Sequence, residues 1–69
     1  MNELDIIIPV YNEGENILEL FRAFEKEVRT SFRVFVCYDF DEDTTLEAIR
    51  ANTFSFEIIL VKNPGTGVF

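Results

Sequence analysis

The sequence predicts an α/β fold, a three-stranded parallel sheet built in the order β-α-β-α-β, which is half of a doubly wound nucleotide-binding domain. Three observations predict it. Ile6-Ile7-Ile8 is an unbroken β-branched run with no polar alternation, which reads as a strand covered on both faces and so as a central parallel strand. Ile17, Leu20, Phe21, Phe24 and Val28 follow at helical spacing. Two further β-branched and aromatic runs come later, with a short helical stretch between them, and such alternation builds parallel sheets through right-handed crossovers.

The first strand stops at Pro9 and breaks into a polar turn that contains Gly14. Asn12 is a good helix N-cap, and Glu15 stands at capping-box spacing from it, so a helix is expected to start there. Glu25 with Arg29 and Glu19 with Arg22 are spaced for weak surface pairs. Thr30 and Ser31 read as a loop, and Phe32 to Tyr38 reads as the second strand. Next come the acids Asp39, Asp41, Glu42 and Asp43, then a shorter helix carrying Leu46, Ala48 and Ile49, with Thr44 and Glu47 at capping-box spacing. A third strand is expected within Phe54 to Val61, and Asn63-Pro64-Gly65-Thr66-Gly67 is a glycine turn. The phenylalanines at 21, 24, 32, 35, 54 and 56 read as core. Two right-handed crossovers running in one direction place both helices on one face of the sheet. The other face then lacks cover, so residues 1–69 read as a single partial domain with an exposed sheet face capable of self-association.

Composition narrows the function classes. With 69 residues and 48% hydrophobic side chains, the chain is rich enough to collapse but small enough to be marginally stable. Thirteen acids against six bases leave a net charge of -7, which opposes general affinity for nucleic acid or an anionic membrane. Cys37 is the only cysteine, so no internal disulfide is possible, and it reads as a small apolar residue of the second strand. Neither a secretion signal nor a run long enough to span a bilayer is visible, and a cytoplasmic location is expected.

In open α/β sheets ligands bind outside the carboxyl ends of the strands, and two polar stretches fall there. In the first, Pro9 stiffens the strand end, Tyr11 offers a ring against a base or ribose, and Glu13 offers a carboxylate acceptor. The same residues also read as a plain capped turn. In the second, clustered carboxylates suit Mg²⁺ or Mn²⁺, or the N-H and hydroxyl groups of a nucleoside. Asp41 and Asp43 fit equally as capping acids of the second helix, which leaves Asp39, nearest the strand end, as the stronger binding candidate.

Three blocks in order resemble the amino-terminal part of the family 2 glycosyltransferases, GT-A enzymes that include dolichyl-phosphate mannosyltransferases. Ile8-Pro9-Val10-Tyr11-Asn12-Glu13 is similar to the family's opening pattern of Ile or Val, Pro, any residue, Tyr or Phe, Asn and Glu. Tyr38-Asp39-Phe40-Asp41-Glu42-Asp43-Thr44-Thr45 is similar to its Asp-Asp-Gly-Ser-x-Asp-x-Thr, with Tyr38, Phe40 and Asp41 departing from it. Val61 to Gly67 is similar to the loop after its third strand. The resemblance implies half of a Rossmann-like GT-A domain. It implies that Pro9, Tyr11 and Glu13 line a base and ribose pocket and that Asp39 hydrogen-bonds the base of a UDP- or GDP-type nucleotide sugar. It also implies a parent enzyme that transfers the sugar with inversion to a lipid phosphate or other acceptor, using Mg²⁺ or Mn²⁺ and sited at a membrane face. The family's metal-binding Asp-x-Asp and catalytic base come later than these blocks, so no catalytic or metal-ligating residue is assigned within this chain, which is expected to be inactive alone.

Two other readings stand beside this one. Asp41-Glu42-Asp43-Thr44-Thr45-Leu46 fits the Asp-x-Asp-x-Thr of haloacid-dehalogenase-type phosphatases, with Asp41 as nucleophile and Asp43 as general acid. The chain also reads as a truncated, non-catalytic binding module.

Overall fold

The computed structural model describes residues 3–63. The elements are β1 (Leu4–Pro9), α1 (Gly14–Glu27), β2 (Phe32–Tyr38), α2 (Thr44–Arg50) and β3 (Glu57–Lys62). The three strands form one parallel sheet in the order β1-β2-β3, as half of a Rossmann-like fold does. Ile6 pairs with Val34 and Val34 with Ile58, so residues of like parity share a face across the sheet.

The central strand is β2, not β1. Val34 and Val36 are fully buried, whereas Ile7 on the edge strand is 68% exposed. An unbroken isoleucine run announces apolar side chains on both sides of a strand, but the strand's place in the sheet is set by the crossovers. The even-numbered face (Ile6, Ile8, Phe32, Val34, Val36, Ile58, Leu60) packs under α1 and α2 together with Val10, Ile17, Phe21 and Ile49. The odd-numbered face, with Asp5, Ile7, Arg33, Phe35, Cys37, Ile59 and Val61, has no helix over it among the described residues. The shortest dimension of the molecule is 15 Å, which accommodates one sheet and one helical layer. On the bare face Arg33 forms an ion pair with Asp5 at 2.8 Å, its neighbour in register on β1.

Helix α1 buries Ile17 and Phe21, with Leu18 and Phe24 half-buried against the core, while Leu20 turns out to the surface at 40% exposure. Phe21 is the hub of an aromatic cluster, 5.1 Å from the Phe54 ring and 5.3 Å from the Phe56 ring, both edge-on. Phe54 and Phe56 precede β3, which begins only at Glu57, so they serve as a plug beneath α1 and not as strand residues. Arg22 pairs with Glu25 at 2.7 Å, not with Glu19. The other oxygen of Glu25 accepts from the Ser55 N-H, also at 2.7 Å. These bonds pull the Glu25 carboxyl from 4.5 down to about 2, with the Arg22 guanidinium as the largest cause.

Candidate functional site

The turns that follow β1 and β2 lie side by side, because the strands are parallel neighbours with Pro9 opposite Cys37. Hydrogen bonds between the turns join them into one unit. Asn12 has a positive φ of 48°, a left-handed conformation that asparagine tolerates better than most residues. From there its N-H donates to Asp43 Oδ2 at 3.0 Å, and its Oδ1 accepts from the Thr44 N-H at 3.1 Å. The Glu13 N-H donates to Thr45 Oγ1 at 2.8 Å and the Gly14 N-H to Thr44 Oγ1 at 3.2 Å. Asp43 also accepts from the Thr45 N-H at 2.7 Å, as the N-cap of α2.

Two capping assignments are therefore corrected. Asn12 caps the amino end of α2 and not that of its own helix; the N-cap of α1 is Glu13, whose side chain makes no capping bond. The N-cap of α2 is Asp43, the capping role read for it in the sequence, and not Thr44. At the start of α1 the N-H groups of Glu13 and Gly14 are satisfied from the neighbouring turn. Gly14 lets the turns approach closely: a Cβ there would stand 2.8 Å from the Thr44 carbonyl oxygen.

Asp43 is 1% exposed. Burial raises its carboxyl pKa, but hydrogen bonds from the Thr45 side chain and from the Asn12 and Thr45 N-H groups outweigh that, and the net shift is downward from 3.8. Both of its oxygens are taken up inside the protein, Oδ2 by the Asn12 N-H and Oδ1 by the Thr45 N-H, so what the structure gives Asp43 is the capping role. Asp41, the nucleophile in the phosphatase reading, is bonded to Lys62 Nζ at 3.1 Å.

The acids after β2 thus go separate ways, Asp43 into the clasp, Asp41 to Lys62 and Asp39 to Asn63. Among the described residues, no three His, Cys, Asp or Glu side chains are placed to share a cation. These acids do not form the donor set of a Mg²⁺ or Mn²⁺ site, and the resemblance places the metal ligands of the parent enzyme later than these blocks. Among these residues, too, no helix is long and apolar enough to cross a membrane.

The four residues singled out in the sequence line one crevice. Pro9, Tyr11, Glu13 and Asp39 surround a space of about 400 Å³ with Val10, Cys37 and Asn63. That volume lies within the range of roughly 300–1,000 Å³ usual for small-molecule sites. Tyr11 is 67% exposed, and its ring meets the edge of Phe40 at 5.7 Å between centroids. Phe40 is not among the lining residues; it buttresses the tyrosine from outside. Glu13 Oε2 accepts from Asn16 Nδ2 at 3.2 Å, and Asp39 Oδ1 accepts from Asn63 Nδ2 at 2.9 Å, which among the described residues leaves the second oxygen of each carboxylate as an acceptor.

A larger concavity of about 730 Å³ lies between α1 and α2, with Asn12, Gly14, Thr44 and Asn52 among its walls. Its polar groups are largely committed: the Gly14 and Thr44 N-H groups bond across the clasp, and Asn52 Nδ2 donates to the Ala48 carbonyl at 2.9 Å. The smaller crevice, at the carboxyl ends of two parallel strands with unspent acceptors, is the better candidate. Asn63 and Cys37 had no place in a site predicted from the two turns alone. Proximity to the end of β2 was the one available signal for Cys37, and Asn63 is brought in by β3. Pro64 to Gly67 of the glycine turn lie outside the described residues. Compared with models of known families, with curated proteins and with solved structures, the chain matches none.

Proposed function

We propose that the crevice at the ends of β1 and β2 receives the nucleoside end of a nucleotide sugar, and that the chain is the donor-recognition part of a family 2 glycosyltransferase. The parent reaction is transfer of the sugar to a lipid phosphate or another acceptor. One observation carries the proposal: Pro9, Tyr11, Glu13 and Asp39, chosen from two separate stretches of sequence, line the same crevice. Tyr11 supplies an exposed ring face for the base or ribose, the free Glu13 oxygen accepts from a ribose hydroxyl, and the free Asp39 oxygen accepts from a base N-H. Both carboxylates and a net charge of -7 disfavour phosphate in the crevice, so the diphosphate points outward. No described residue is assigned a catalytic role.

Titration of the ¹⁵N-labelled chain with uridine, UDP and GDP, with and without Mn²⁺, tests the proposal by amide shifts. The expected result is millimolar binding with the largest shifts at Tyr11, Glu13 and Asp39, and a loss of at least fivefold in affinity in Tyr11→Ala and Asp39→Ala. Shifts confined to the groove between the helices, or no shift at 10 mM ligand, would refute it.

A further inference from the structure

We propose that the outer edge of β1 docks a second copy of this chain, which lays its own β1 antiparallel to the first about a two-fold axis at Ile6 and joins the two sheets into one. Among the described residues β1 pairs with β2 alone. The Leu4 N-H donates to the Ser31 carbonyl at 3.2 Å and the Val10 N-H to the Cys37 carbonyl at 2.9 Å. The even-numbered residues therefore turn their backbone groups toward β2, and Asp5 and Ile7 turn theirs outward. Such an edge is a template for another strand. Charge does not guard it, because Arg33 neutralises Asp5, the one ionisable side chain of β1. The opposite edge, β3, carries Glu57 and Lys62 at its two ends.

A second copy is the occupant because the edge is complementary to itself. Setting Asp5 opposite Ile7 of the second copy, and Ile7 opposite its Asp5, satisfies the N-H and carbonyl of all four residues. Ile7 opposite Ile7 would put the Asp5 carbonyl against Pro9, which has no N-H. Asp5 opposite Asp5 would put the Ile7 carbonyl against Glu3, whose N-H is already given to the Ser31 carbonyl at 3.1 Å. The favoured register also sets Leu4 of one copy opposite Ile8 of the other. Leu4 is 42% exposed, and Ile8 borders an apolar cleft of about 350 Å³ walled by Val10, Ile17 and Leu20, on the helix-covered side to which even-numbered strand residues point. Each copy thus offers a leucine where the other offers a cleft, and the exposed Leu20 is covered in the exchange. The contact is about 20 Å long, the length of a six-residue strand. A contact of that length on a molecule 15 Å in its shortest dimension, with a net charge of -7 on each copy, makes a weak and reversible dimer.

Sedimentation equilibrium of the 69-residue chain up to about 1 mM reads its state, with circular dichroism confirming that each variant is folded. The expected result is a monomer-dimer equilibrium with a dissociation constant of about 0.05–0.5 mM, weakened at least tenfold in Leu20→Lys and unchanged in Phe35→Lys, which lies on the bare face away from the edge. Oxidation of Ile6→Cys, in a Cys37→Ser background, is expected to link two copies, because the facing Cα atoms stand about 4.5 Å apart in this register, and Ile8→Cys is expected not to. A monomer at about 1 mM, a dimer that survives Leu20→Lys, one abolished by Phe35→Lys and so formed through the bare face, or no linkage at Ile6→Cys would each overturn the proposal.

Discussion

Replacing Asp43 with alanine tests the clasp between the two turns most directly. The substitution deletes the N-cap of α2, which costs about 1 kcal/mol, and strips the Asn12 N-H of its acceptor, which costs a further 1–3 kcal/mol or so. The sum, roughly 2–4 kcal/mol, is large for a chain of this length, whose whole stability is on the order of 3–10 kcal/mol. With a urea slope of about 1 kcal/mol per molar, the midpoint followed by circular dichroism should fall by about 2–4 M. Asp43→Asn keeps one acceptor oxygen and should lose about half as much. The pH dependence gives a second check. The folded-state carboxyl titrates below its ordinary 3.8, so its stabilisation is complete above that value and is lost as the pH falls through the lower folded-state value. The gap between wild type and Asp43→Ala should therefore narrow on acidification below about pH 4. A change of under about 0.5 kcal/mol at neutral pH, within the range of ordinary surface substitutions, would refute the clasp as a stabilising unit.

Gly14→Ala, which would ordinarily gain stability in a helix, should here lose about 1–3 kcal/mol in the same urea assay, because the new Cβ meets the Thr44 carbonyl at 2.8 Å. Glu25→Gln should lower the melting temperature most at neutral pH. Because the Glu25 pKa falls from 4.5 to about 2 on folding, its stabilisation is present above 4.5 and lost as the pH drops toward 2, so melting curves of the two proteins should converge over that window. Ile7→Lys should change stability by no more than about 0.5 kcal/mol despite removing an isoleucine from a strand, since the residue is 68% exposed; a loss above 2 kcal/mol would show that face to be covered. Cys37 lines the crevice, so saturating UDP should slow its reaction with a thiol reagent at least threefold, and an unchanged rate would place the nucleotide elsewhere.

The alternation of strand and helix was legible because period and β-branched content are local properties, and β2 was bounded to the residue. The crevice was foreseeable for a different reason: two polar stretches at the ends of adjacent parallel strands must face each other, and Tyr11 and Asp39 do. Partners distant in the chain escaped the reading. Asn12 looks like a cap for the helix beside it, and only the approach of a segment 32 residues away shows that it serves the other one. Phe54 and Phe56 have strand-like composition, but Phe21 above them claims their rings before β3 begins. Asn63 looks like the start of a turn until β3 carries it to Asp39.

Cys37 has an odd number in β2, so the residue that walls the crevice also belongs to the side of the sheet without helices. Cys37 is thus the point where the crevice wall and that side of the sheet meet. Any layer laid over Ile7 and Phe35 would extend toward the same rim, so sheltering the strands and deepening the crevice would be a single event.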